Sequence, residues 1–171
     1  MYRKSLLVIL TALLAAWGCS SNQTPVELKS FPLDSADGVI AQTGITFDPA
    51  VSVDGKGSLR IEANEAVTVP LFEISDVTVE EARIFYQAKV KTERVIGQVY
   101  LEMRCRIPGL GESFSRGQAT LLSGTNDWTS QETPFILQKG EAPDLIKLNL
   151  VINGQGVVWI DDIKLVKGAL R

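Results

Sequence analysis

Apolar and polar residues alternate along most of the chain beyond residue 56, which is the pattern of β-strands with one buried side. Residues 97–107, GQVYLEMRCRI, are the clearest case. The side chains predicted on the buried side are Val99, Leu101, Met103, Cys105 and Ile107, and those on the polar side are Gln98, Tyr100, Glu102, Arg104 and Arg106. This stretch therefore predicts a strand that covers a core with one side and meets solvent with the other.

Further stretches have the same strand-like character and are separated by turn sequences such as DGKG, PGLGES and NGQG. They comprise residues 57–63, 66–74, 82–93, 135–137, 146–153 and 156–167. Pro70 cannot donate a backbone hydrogen bond, so its strand is expected at an edge or with a bulge. Only residues 79–85 hint at a helical turn. Short, evenly spaced strands predict an all-β fold of about eight or nine strands, either a β-sandwich or a jelly roll.

Two adjacent acids, Asp161 and Asp162, interrupt the apolar run of the last predicted strand. Alternation directs their side chains to opposite sides, so they do not form the facing carboxylate pair of a glycoside hydrolase. With strict alternation, Ile163 would lie on the same side of the strand as Asp161, and Ile160 would lie on the same side as Asp162. Both sides of the strand would then carry large apolar residues that need burial. We therefore expect a bulge near the acids, with Asp161 toward the DGKG loop and Asp162 toward solvent.

The chain begins with MYRKSLLVILTALLAAWGC, a basic start followed by an apolar stretch too short to span a bilayer as a helix. It resembles a bacterial lipoprotein signal, with Ala16, Trp17, Gly18 and Cys19 as the lipobox. The resemblance implies a helical signal peptide over residues 1–18 and lipid on Cys19. Ser20 then favours the outer membrane of the cell envelope. An ordinary secretory signal is the alternative. Residues 19–30 are predicted as a polar tether and residues 31–171 as the folded domain.

Composition narrows the chemistry that this domain can perform. The chain has no histidine and a formal net charge of −3. It therefore lacks a Ser-His-Asp triad and His-ligated zinc, and it has no basic run for nucleic acid. If Cys19 carries lipid, Cys105 has no cysteine partner and is predicted to be a small buried apolar residue.

Three patches in order resemble the galactose-binding-like jelly roll of carbohydrate-binding modules of the family 4, 9 and 22 type. They are VDGKGSLRIEA, GTNDWTSQETPFIL and GVVWIDDIKLVK. The resemblance implies a jelly-roll β-sandwich and, in many such domains, a structural Ca²⁺ near the chain ends. Its ligands here would be Asp161 and the backbone carbonyl oxygens of the loop that contains Asp54 and Lys56, with Asp34 or Asp37 as a further acid. Alternatively, Asp161 hydrogen-bonds the loop backbone without a metal.

Sugar sites in this fold lie on a sheet face or at an edge, and they combine aromatic rings with planar polar groups. The candidate ligand-binding residues are Gln87, Lys89, Tyr100, Glu102, Arg104, Phe114, Arg116 and Asn149. Phe114 and Arg116 are placed in a loop, GESFSRG, together with Glu112. The alternative is a solvated face with cross-strand ion pairs. Trp128 and Trp159 are expected in the core.

These observations predict a lipid-anchored envelope protein that binds a glycan without catalysis, with membrane contact through lipid on Cys19. The alternative is a structural or assembly lipoprotein that binds a partner protein through the same fold.

Overall fold

The alternating stretches form eight strands in the computed structural model, which describes residues 24–170. The strands are β1 (Val26–Phe31), β2 (Ile45–Asp48), β3 (Ser58–Ala63), β4 (Val67–Ile74), β5 (Ala82–Ile107), β6 (Gly111–Arg116), β7 (Leu122–Leu137) and β8 (Leu145–Gly168). A 3₁₀ turn at Gln118–Thr120 is the only helical element of this range. All strand pairs are antiparallel, and the all-β prediction is confirmed.

β5 and β8 pair along nearly their whole lengths and bend together at their middles. The pairing shifts between Glu93 and Ile96, where Arg94 has a left-handed backbone with φ of 52°. The two backbones nearly touch at the bend, because a Cβ on Gly97 would overlap the carbonyl oxygen of Asn153 and one on Gly154 that of Ile96. Glycine is therefore required on both strands at this point.

The bend divides the sheet into two layers. Layer A contains β1, β2, β3, most of β7, residues 82–93 of β5 and residues 157–168 of β8. Layer B contains β4, β6, residues 97–107 of β5 and residues 145–154 of β8. One apolar cluster includes buried residues of both, such as Ile84 and Val90 from layer A and Met103 and Leu148 from layer B. The two layers therefore pack around a shared core as a jelly-roll sandwich.

The bulge at the bend changes which residues of β5 face the core. In layer A the even positions Ile84, Tyr86 and Val90 are fully buried, whereas in layer B the odd positions Leu101 and Met103 are. One extra residue in β5 at the bend causes this inversion. We call the outer surface of layer A face A and that of layer B face B.

Several predicted boundaries differ from the observed strands. The predicted pair of strands at 82–93 and 97–107 is one strand, β5, and the pair at 146–153 and 156–167 is β8. Bulges let these strands bend without ending. The predicted loop GESFSRG contains β6, β7 extends far upstream of residue 135, and the hinted helical turn at 79–85 runs into β5.

The beginning of the domain also differs from the predicted boundary. β1 starts at Val26 and pairs with the end of β8, although residues 19–30 were predicted as tether. The predicted signal peptide and Cys19 lie outside the described residues. Within residues 24–170, no helix is long and apolar enough to cross a bilayer.

The local predictions about bulges and the interior cysteine are confirmed. β4 has a register shift between Pro70 and Phe72, and β8 has one opposite Gln87 and Lys89. The latter shift brings both Ile160 and Ile163 into the core. Cys105 is fully buried, and burial raises the pKa of its thiol to about 12.

Candidate functional site

Face B gathers most of the predicted ligand-binding residues, because β4, β8, β5 and β6 lie side by side there. Cross-strand pairing aligns Glu102 with Asn149 on β8 and with Arg116 on β6. Arg104 is aligned in the same way with Lys147 and Phe114. The predicted residues that share face B are Tyr100, Glu102, Arg104, Phe114, Arg116 and Asn149.

Glu102 lies at the centre of face B, and its side chain is only 2% exposed. Its carboxylate accepts hydrogen bonds from Arg104 Nε and Arg116 Nε, both at 2.8 Å, and from Asn149 Nδ2 at 3.2 Å. Burial favours the neutral acid, but these donors outweigh it and hold the pKa of Glu102 below its usual range. Glu102 is therefore a buried anion that positions two arginines.

The contacts of Glu102 continue into a longer series of ion pairs. Arg104 also donates to Glu112 at 3.1 Å, and Lys147 Nζ donates to Glu112 at 2.7 Å. Lys147, and then Arg104, lower the pKa of Glu112. We call the series Arg116, Glu102, Arg104, Glu112 and Lys147 the ion chain. It alternates in sign and crosses face B from β6 to β8.

Two aromatic side chains flank the ion chain. Phe114 is 56% exposed, and the guanidinium carbon of Arg116 lies 4.5 Å from the centroid of its ring. Tyr100 is half-buried and lies four residues from Arg104 along β5, about 14 Å away at the usual rise of a strand. A pocket of about 230 Å³ adjoins Tyr100 and Val151. Face B thus combines aromatic rings with planar polar groups.

The structure separates Gln87 and Lys89 from the other candidates. Both lie on face A, where they line a pocket of about 270 Å³. Gln87 Nε2 donates to Glu132 at 2.6 Å, and Lys89 Nζ donates to Ser130 at 2.8 Å. The sequence prediction placed these two residues on the same surface as Tyr100 and Glu102. The bulge at Arg94 exchanges the core-facing and outward-facing positions along β5. Gln87 and Lys89 therefore lie on the opposite face of the sandwich from Tyr100 and Glu102.

Asp161 accepts hydrogen bonds from the backbone of a loop, as in the metal-free alternative that the sequence left open. It is 1% exposed, and its two oxygens accept the amide hydrogens of Val53 and Asp162, each at 2.8 Å. Burial raises the pKa of Asp161, although both amide hydrogen bonds act in the opposite direction. Asp162 lines the face A pocket together with Gln87 and Lys89, and it pairs with Lys164 at 3.0 Å.

The acidic side chains around Asp161 do not by themselves supply the donor set of a Ca²⁺ site. Lys56 Nζ lies 3.2 Å from Asp54 and 3.3 Å from Asp34, so an ammonium group already pairs with one of the two predicted further acids. Within residues 24–170, no group of three or more His, Cys, Asp or Glu side chains could hold a metal ion. Ca²⁺ prefers six or more oxygens. The calcium site stays a prediction.

The two scaffold tryptophans are not placed alike. Trp159 is 7% exposed but lies on the outer side of layer A, where Asp48 accepts its Nε1 hydrogen at 2.9 Å and Arg60 lies 5.8 Å from its ring centroid. Trp128 is only partly buried. Trp159 is therefore buried as predicted, although outside the shared apolar cluster, and the core prediction is wrong for Trp128.

The fold, but not the sequence, of this chain is similar to known proteins. No model of a protein family matches the chain, and no curated protein sequence matches it. A solved structure of the CBM22-1 xylan-binding domain of Paenibacillus barcinonensis Xyn10C matches with a TM-score of 0.61 and 14% identity, over 85% of this chain and 96% of that one. The fold is the jelly roll of carbohydrate-binding modules.

Other solved structures extend this likeness. The CBM22-1 and GH10 modules of Clostridium thermocellum xylanase 10B, complexed with xylohexaose, match with a TM-score of 0.63 and 12% identity, over 83% of this chain and 28% of that one. An enzymatically active domain of bacteriophage CBA120 tailspike protein 4 matches with a TM-score of 0.57 and 11% identity, over 80% and 20%. At such identities the likeness concerns the fold alone.

Proposed function

We propose that this protein is a lipid-anchored envelope protein whose jelly roll binds a glycan on face B without catalysing a reaction. The observation that carries the proposal is the exposed ring of Phe114 beside the planar polar groups of Arg104 and Arg116. An aromatic ring packs against the C–H face of a sugar, and planar groups hydrogen-bond several hydroxyls. The likeness to modules described as xylan-binding supports this assignment.

The charge state of face B supports a binding role without catalysis. Glycoside hydrolysis needs one carboxylic acid that still carries its proton near neutral pH. Both Glu102 and Glu112 have lowered pKa values, because each lies between two cations. Ionised and already paired, these carboxylates are suited to positioning the arginines.

The anchor is proposed from the sequence around Cys19. β1 begins at Val26, so the tether from residue 20 to 25 spans at most about 20 Å when extended. Labelled fatty acid should be incorporated into the full chain and lost in Cys19→Ala. Unchanged labelling of Cys19→Ala would refute the anchor, and glycan binding would be unaffected by that result.

Glycan binding is tested by titrating the full chain, in mild detergent, with xylohexaose and a panel of neutral and acidic oligosaccharides. Phe114→Ala should weaken binding about tenfold, because the loss of an aromatic contact removes roughly 1–1.5 kcal/mol. Phe85→Ala is the matched control, since Phe85 lies on face A with Arg83 5.1 Å from its ring centroid. Equal losses in both variants would argue against face B. Absence of binding to every glycan, with a protein retained in pull-down, would favour the partner-binding alternative.

A further inference from the structure

The ion chain carries one positive charge more than it carries negative charges. Glu102 lies between Arg104 and Arg116, and Glu112 lies between Arg104 and Lys147. Both carboxylates are therefore inside the series, and a cation stands at each end. The whole chain has a formal net charge of −3, so this strip is opposite in sign to the protein.

The two ends of the ion chain differ in their surroundings. At the Lys147 end, the exposed Glu73 of β4 lies directly opposite Lys147 in the sheet and adds a negative charge to this end of the ion chain. Arg106, the next cation along face B, forms an ion pair with Asp144 at 2.7 Å. The excess positive charge is therefore located at the Arg116 end, on the edge strand β6.

Arg116 is held in a fixed orientation and still has unused donors. Its Nε donates to Glu102 at 2.8 Å, and its guanidinium packs over the ring of Phe114. Within residues 24–170, its two terminal nitrogens donate no hydrogen bond, and the side chain is 37% exposed. A guanidinium with such a free edge matches the two oxygens of a carboxylate. Because the side chain is already ordered, little entropy is lost on binding.

Phe114 determines what kind of carboxylate suits this place. Its ring is more than half exposed, so an apolar surface lies directly beside the free edge of Arg116. A ligand that uses both needs a carboxylate fixed to a ring with an apolar C–H face. A uronic acid has this combination, whereas an acidic peptide side chain has the carboxylate alone.

We propose that the glycan bound on face B contains uronic acid, and that Arg116 binds its carboxylate while Phe114 packs against its ring. The proposal rests on the proposed function and specifies its ligand class. It assigns Arg116 as the residue that selects charged over neutral sugars. A neutral sugar would still use Phe114 and the hydroxyl-binding groups, but with lower affinity.

The test titrates the full chain, in mild detergent and low salt, with hexagalacturonate, its methyl ester and xylohexaose. Hexagalacturonate should bind about tenfold more tightly than its methyl ester, since a charge-assisted hydrogen bond is lost on esterification. The difference should shrink in about 0.5 M NaCl, because salt screens the exposed charge. Arg116→Gln should abolish the difference.

Two variants keep the result independent of folding defects. Arg116→Lys retains the charge next to Glu102 but lacks the planar fork, so it should fold and lose most of the preference. Arg60→Gln is the control, because Arg60 also contacts one carboxylate and one aromatic ring but lies on layer A. It should keep the full preference.

The outcomes separate the two proposals. Equal affinity for the acid, the ester and xylohexaose would overturn the uronate inference and leave glycan binding intact. No binding of any sugar would overturn both. Binding of polyglutamate as tight as that of hexagalacturonate, and unchanged in Phe114→Ala, would overturn the inference in favour of an acidic protein partner.

Discussion

Each layer of the sandwich buries one carboxylate on its outer side, but the two carboxylates have different partners. Asp161 of layer A and Glu102 of layer B are 1% and 2% exposed. Asp161 accepts hydrogen bonds from backbone amides, whereas Glu102 accepts them chiefly from two arginines. The partners are dipoles in one layer and full positive charges in the other.

The consequence is that the same degree of burial produces opposite titration behaviour. Desolvation raises the pKa of Asp161 and the amides compensate only in part. At Glu102 the arginines, with Asn149, more than compensate, and its pKa is lowered. Asp161 serves to fasten a loop. Glu102 instead holds two cations at the surface, where a ligand can reach them.

The surrounding ion pairs differ in the same sense. On face A, pairs such as Lys91 with Asp127 and Lys164 with Asp162 are separate from one another and partly exposed. Such pairs contribute roughly 0–1 kcal/mol each. On face B, the pairs share Glu102 and Glu112 and form one connected chain. A change at its centre is therefore expected to affect several residues, which is a testable difference between the faces.

Removal of the buried acid of face B should have the largest effect. Glu102→Ala leaves Arg104 and Arg116 without their shared partner, and the free energy of unfolding should fall by about 3 kcal/mol. The value is at the lower end of the usual range because both arginines are 37% exposed and can recover water. Urea unfolding measures the change.

Glu112→Ala is the matched control for Glu102→Ala. Glu112 has two cationic partners as well, but its side chain is 31% exposed. Its loss should cost less than about 1 kcal/mol. Equal losses for the two variants would show that the burial of Glu102 has no special role.

Removal of the buried acid of layer A should have a somewhat smaller effect. Asp161→Ala leaves the amide hydrogens of Val53 and Asp162 without their acceptor, and the free energy of unfolding should fall by about 2 kcal/mol. The loop around Val53 should also become more susceptible to limited proteolysis. Asp162→Asn is the control, because asparagine tolerates the left-handed backbone, with φ of 48°, found there. It should change stability by less than about 0.5 kcal/mol.

The contrast between the layers could be predicted only in part from the sequence. Alternation identified the core side of residues 97–107 of β5 correctly, and the conflict between Ile160 and Ile163 predicted the bulge at the acids. The placement of Asp161 toward the loop followed from the same reasoning. These are local properties of one strand, and the period of two expresses them directly.

The missing part concerns how separate segments combine. The inversion at Arg94 depends on a one-residue bulge, for which Gly97 and Gly154 were the only local signals. Arg116 joins Glu102 through the pairing of β6 with β5, a contact that alternation does not encode. β6 itself has the sequence GESFSR, with a single large apolar residue, and therefore resembled a loop.

The pH dependence of stability should have opposite signs at the two acids. The folded pKa of Glu102 is lowered, so its contribution is present above the unfolded pKa and is lost as the pH falls through the folded one. The folded pKa of Asp161 is raised, so its cost is present at neutral pH and disappears on acidification. When the pH falls from about 7 to 3, the amount by which the Tm of the wild-type chain exceeds that of Glu102→Gln should decrease. The Tm of the wild-type chain relative to that of Asp161→Asn should instead increase. Parallel trends in the two comparisons would contradict the assigned directions.

The smallest effect is expected from calcium. A ligand that binds only the native state raises stability by RT ln(1 + [L]/Kd), or about 2.7 kcal/mol at 100 times Kd. Both oxygens of Asp161 already accept amide hydrogens, and Lys56 supplies a cation beside Asp54. The Tm should therefore be the same in chelator and in millimolar CaCl₂. A rise in Tm with CaCl₂ that is absent in Asp161→Asn would instead establish the metal site. Asp161 would then bind a full positive charge, as Glu102 does, and the two layers would no longer differ in the partners of their buried carboxylates.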